Sequence, residues 1–258
     1  MMATFNSKPR RALLPGAAFA VLIAAAGIIF AEETPWKTSV ALAGAELQRA
    51  QARFQSDANN PTNAWQLARA AFDLAEFSTN DTQRAALANQ GIAACRPLVA
   101  REPKLAAGHY YLAMNLGQLA RTEYLGALKL VKEMEPEFKA AGDLDPQFDH
   151  AGSKRNLGLL YRDAPGWPVS IGNPSKAQSL LKQAVKLAPD FPENYLHLIE
   201  AYLKWKEPDD AKKALRALDA IWPAARTNLT GAKWEQSWDN WFTRRTAARQ
   251  QLATTRPP

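Results

Sequence analysis

The chain has 258 residues, 47% of them apolar, which is enough to bury a sizeable core and too much for a disordered chain. Its formal net charge is +7, but Lys8, Arg10 and Arg11 lie in an N-terminal stretch without Asp or Glu, which leaves a mild +4 for residues 32–258. The remaining Lys and Arg alternate with acidic residues instead of lining up with aromatics, so no nucleic-acid surface is indicated, and the single Cys95 excludes an internal disulfide and a thiolate-rich metal site.

Residues 1–11 end in Lys8-Pro9-Arg10-Arg11, and residues 12–31 then run without a charge as far as Glu32-Glu33. A basic segment followed by an apolar one is the pattern of an export signal, and Ile29 and Ala31 suit the positions just before a cleavage point. About 20 uncharged residues also suffice to span a bilayer. Residues 1–31 therefore read as a signal peptide or an N-terminal anchor, with Pro15-Gly16 weakening the anchor. Both readings make residues 32–258 periplasmic or otherwise extracytoplasmic, in the second case held at the inner membrane by residues 12–31. No lipobox cysteine follows the run.

A lone helix is predicted over about 38–57. Beyond it, apolar residues recur at helical spacing, and Pro, Asn-Pro, Asp-Pro and Gly break the pattern without any strand-like alternation. The fold class is all-α. Four helix pairs follow, over about 61–103, 106–146, 151–189 and 192–223, and a terminal helix over about 230–252. In the last pair Tyr195, Leu198, Ile199 and Tyr202 occupy the first helix and Ala211, Leu215 and Leu218 the second, with Pro223 as its close. In the third, Leu157-Gly158 and Tyr161 precede Ala177, Leu181, Ala184 and Pro189. About seven extra residues separate those two helices, within 163–173. The first two pairs are looser: Leu67-Ala68 and Ala71 lead to Gly91, Cys95 and Leu98, and Leu112-Ala113 and Leu116 to a helix over 124–142.

These residues resemble the tetratricopeptide (TPR) pattern, a repeat of about 34 residues built from two antiparallel helices. The resemblance implies a helical-hairpin superhelix whose first helices line a concave binding face. Projecting that register places Trp65, Arg69, Tyr110, Gln118, Arg155, Arg162, Glu200 and Lys204 on the concave face. Aromatic walls beside guanidinium forks suit a small anionic or apolar ligand or an acidic peptide end. The alternative is that these arginines pair with neighbouring carboxylates such as Asp73 and Asp163. Trp167, in the 163–173 insertion, is either a binding residue or a cover for the open side of its helix pair. Trp234, Trp238 and Trp241, at i, i+4 and i+7, read as a cap on the last repeat, with an oligomer contact as the alternative.

No catalytic residue, metal site or cofactor is indicated. His109, His150 and His197 lack metal-ligand spacing, and His109 reads as packed. More narrowly, the export pattern, the few irregular repeats, Leu157-Gly158-Leu159-Leu160-Tyr161 and the Pro/Gly insertion before Lys176-Ala177 are similar to the T component of tripartite ATP-independent periplasmic (TRAP) transporters. That similarity implies a periplasmic accessory protein that forms homo-oligomers, contacts a solute-binding protein and takes an organic-acid or hydrophobic ligand. The TPR resemblance alone implies a scaffold for a protein partner in the cell envelope.

Overall fold

A computed structural model describes residues 35–123 and 126–254, so the signal or anchor read over 1–31 lies outside the described residues. The described chain is helical throughout: α1 (Pro35–Ser56), α2 (Pro61–Ala75), α3 (Asp81–Arg101), α4 (Ala106–Ala120), α5 (Ala127–Leu144), α6 (Phe148–Asp163), α7 (Pro174–Leu187), α8 (Pro192–Lys204), α9 (Pro208–Asn228) and α10 (Ala232–Thr254). The starts follow local chemistry. Proline stands in the first turn of α2, α7, α8 and α9, where its missing N–H costs no hydrogen bond. Asn60, Asn80 and Asn173 each accept a backbone N–H of the first turn through the side chain.

The close of the last pair differs from the sequence reading. Pro223 does not close its helix but lies inside α9, which continues to Asn228. A proline removes only its own hydrogen bond and crowds the carbonyl four residues back. Here Ala225 is buried beyond it and Trp222 packs edge-on against Trp238 at 5.2 Å, so tertiary contacts hold the last turn and a half.

The pairing order separates an inner from an outer row. α2 touches α4, α4 touches α6, α6 touches α8 and α8 touches α10, whereas α3, α5, α7 and α9 touch only inner helices. At Gly158 a Cβ would stand 3.0 Å from Leu181 Cγ, so the Leu-Gly pair is what lets α6 and α7 approach closely. At the far end Trp238 and Trp241 are buried against Phe191 and the last repeat, with Trp241 5.4 Å from the Phe191 ring, and the Trp238 indole donates to the Leu229 carbonyl at 2.7 Å. The tryptophan stripe is therefore a cap. Burying each such ring contributes on the order of 4 kcal/mol before entropy is subtracted. α10 also touches α1, so the first and last helices of the array meet.

Candidate functional site

The centre of the inner row is built around an unusual helix start. Asp149, His150 and Ala151 open α6 with φ of 52°, 53° and 62°, three consecutive non-glycine residues in the left-handed region. Each costs roughly 1–2 kcal/mol, so the surroundings must hold the turn. Arg155 does so: its Nη2 donates to the Asp149 carboxylate at 2.9 Å, and its Nη1 to the carbonyls of Asp149 (3.3 Å) and His150 (3.2 Å) and to Asn194 Oδ1 (3.1 Å). Asn194 Nδ2 donates in turn to the His150 carbonyl at 3.0 Å. The Tyr110 hydroxyl donates to Asp149 and accepts from Asn156 Nδ2 at 3.0 Å. Burial and then the Asp149 charge push the Tyr110 hydroxyl far above its ordinary range, so it stays a donor. The turn also lays the His150 ring flat on Phe191, 4.1 Å between centroids. Burial holds that imidazole below its usual pKa.

Beside this clamp lies an aromatic group from three inner helices. Trp65 stacks on Tyr111 at 5.9 Å and meets Phe148 edge-on at 6.5 Å. Arg69, exposed one turn along, stands 3.6 Å from Asp73, too far for a direct hydrogen bond. Asp73 keeps 47% of its side chain accessible, yet burial pushes its carboxyl up to about 6 against the opposing Arg69 charge, with Asp149 adding to the rise. Accessible but desolvated is the condition of a group inside a concavity.

The other predicted residues lie along the rest of the row. Arg162 and Lys204 share the Asp163 carboxylate at 2.7 and 2.8 Å. Glu200 accepts from Arg244 of α10 at 2.6 Å, and Glu193 and His197 complete that group. Burial pushes Glu193 and Glu200 up, but the His197 contact and the neighbouring arginines outweigh it and leave both at about 2.

The sequence projection needs three corrections. Tyr110, Gln118 and Arg155 do not face an open surface but are buried, at 1%, 2% and 5% exposure. The left-handed turn lays Asp149 across Tyr110 and Arg155, and Arg84 and Glu76 bond Gln118. Second, Arg155 and Arg162 are hydrogen-bonded to carboxylates, as the paired alternative describes, whereas Arg69 faces Asp73 at 3.6 Å without a direct hydrogen bond and stays exposed. Third, Trp167 covers nothing: it is 89% exposed. His109 is packed as read, between Glu137 (2.6 Å) and the Pro103 carbonyl (3.0 Å). Sequence reasoning missed Asp149 and Asn194 in the clamp and Phe148 in the aromatic group beside it. It began the third repeat at 151, and a left-handed turn without glycine leaves no local signature.

Two family models match the chain. One is described as regulator of microtubule dynamics protein 1-3 and covers residues 37–149, under half of the chain; the other is a tetratricopeptide repeat over residues 172–226. A search of curated proteins found no match. Among solved structures, a thermophilic TPR protein from Thermus thermophilus is similar at 22% identity and a TM-score of 0.60, over 84% of this chain and 97% of that one. MamA is similar at 16% identity and a TM-score of 0.50, over 70% and 89%. At these identities the likeness is one of fold.

Proposed function

We propose that this chain, with its tetratricopeptide repeat over residues 172–226 and its TPR-like fold, is an exported scaffold of the cell envelope whose inner helix row binds a protein partner. TPR proteins are generally non-enzymatic scaffolds that bind other proteins. The observation that carries the reading is the Trp65–Arg69–Asp73 surface. It stays accessible while the clamp behind it is fully bonded, so a partner meets a rigid aromatic and charged face with little left to order. Export rests on the sequence of residues 1–31 alone. A TRAP-transporter accessory is the finer form of this proposal, supported by the export pattern and the 163–173 insertion. Its organic-acid or hydrophobic ligand would use Trp65 and Arg69, since Tyr110 and Arg155 are already committed to Asp149.

The test is affinity capture from a membrane-plus-periplasm extract, with the double variant Trp65→Ala/Arg69→Ala as control. A periplasmic protein retained by the native chain and lost from the variant is expected. If that protein is a solute-binding protein, the transporter form holds; equal retention by the variant would overturn the inner-row site.

A further inference from the structure

The loop between α6 and α7 has no place in the inner-row site, yet it is an ordered structure. Residues 164–173 carry no charge. Their backbone donors are largely satisfied at home: Val169 and Ser170 N–H donate to the Gly166 carbonyl (3.0 and 3.2 Å), Gly172 to Pro165 (2.8 Å), and Asn173 to Tyr161 (2.8 Å), while Pro165 and Pro168 have no N–H. The two arms lie so close that a Cβ on Gly172 would fall 2.1 Å from the Ala164 carbonyl oxygen. Ser170 is buried beneath, and at the tip Trp167 is 89% and Val169 58% exposed. The fold thus holds one of its largest apolar rings out in water on a rigid finger. No other tryptophan from Trp65 onwards is a large exposed apolar group.

We propose that residues 164–187 form a docking surface for an anionic lipid bilayer, with Trp167 as the inserting group. Tryptophan, an apolar ring with one polar N–H, suits the boundary between headgroups and hydrocarbon. A loop most of whose amides bond internally strands few of them on entering that boundary. The charge agrees. Residues 164–187 contain no Asp or Glu, and the exposed Lys176, Lys182 and Lys186 of α7 carry the positive charge of this stretch, the first two with their ammonium groups over the Tyr161 and Tyr202 rings at 5.2 and 5.9 Å. At the finger's base each carboxylate is outnumbered: Asp163 serves both Arg162 and Lys204, and Glu135 pairs with Lys139 and feels Lys176. A protein socket would account for the ring but not for the acid-free lysines that follow it. One aromatic insertion plus a few lysines gives reversible attachment, independent of whether residues 1–31 are retained.

The experiment is vesicle co-sedimentation of residues 33–258, which form one compact unit, so that the apolar run 12–31 does not contribute. Vesicles of mixed phosphatidylglycerol and phosphatidylcholine are compared with phosphatidylcholine alone. Expected are binding to the mixed vesicles only, release by salt, at least about a tenfold loss for Trp167→Ala, and partial recovery in Trp167→Phe. Replacing the three lysines with Gln weakens binding by roughly a hundredfold at low salt. Absence of binding, equal binding to uncharged vesicles, or a Trp167→Ala chain that binds like the native one each overturns the proposal. Because the Trp167 ring is exposed, the variant should melt with the native chain; Trp167→Glu, a second substitution at the same place, must abolish binding likewise.

Discussion

At the scale of single residues, the centre of the molecule depends on a guanidinium that no pairwise view would single out. Arg155 is buried and bonds a carboxylate, two strained carbonyls and Asn194. Removing it releases the left-handed turn and leaves those acceptors dry, so Arg155→Met should cost about 3 kcal/mol in a urea melt. Arg155→Lys should recover little of this, because one ammonium cannot serve the same fork of acceptors. Asp73 behaves in the opposite sense. Its folded pKa of about 6 is raised above the ordinary 3.8, so the folded state is penalised once the group ionises, and the penalty disappears as pH falls through that interval. Asp73→Asn should therefore gain stability over the native chain at pH 7.5 and lose the advantage near pH 4, read as melting temperature at the two pH values. Cys95 is buried, with its thiol pushed up to about 12 by burial. It should not react with a thiol reagent until the chain is unfolded.

At the scale of elements, the join between α8 and α10 depends on pH. Glu193 and Glu200 have folded pKa values of about 2, below the ordinary 4.5. Their contribution is complete above about pH 4.5 and is lost as pH falls towards 2, when both protonate and release Arg244. In acid, α10 should therefore undock before the array unfolds, seen as a change in tryptophan fluorescence that precedes the loss of helical circular dichroism. Arg244→Met should produce the same early phase at neutral pH. The helix starts marked by Asn-Pro were legible from sequence because they are local, whereas the start of α6 was not. Asn60-Pro61 and Asn173-Pro174 each write a cap and a first turn in two adjacent residues. The end of α9 was not legible, because Pro223 is overruled by Trp222 and Ala225 packing against residues distant in the chain.

At the scale of the molecule, the array is finished by contacts between its ends. α10 covers the last repeat and touches α1. Removing it after Asn228 would uncover Phe191 and Trp222 and free α1 on that side; such a truncation should bind a hydrophobic dye and melt over a broader range than the native chain. Short-range periodicity and punctuation were enough to establish an all-helical array of TPR-like hairpins, the loop before α7 and the tryptophan cap. They could not establish which polar residues face a partner. Tyr110 and Arg155 fall at inner-row positions by register, but three residues with positive φ at the start of α6 swing Asp149 over them, and a binding face in the projection becomes a buried clamp. That reversal had to come from the folded chain. The turn is stable only because Arg155, Asn194 and Tyr110, brought together from three helices, bond it, and no local sequence rule contains the sum of those bonds.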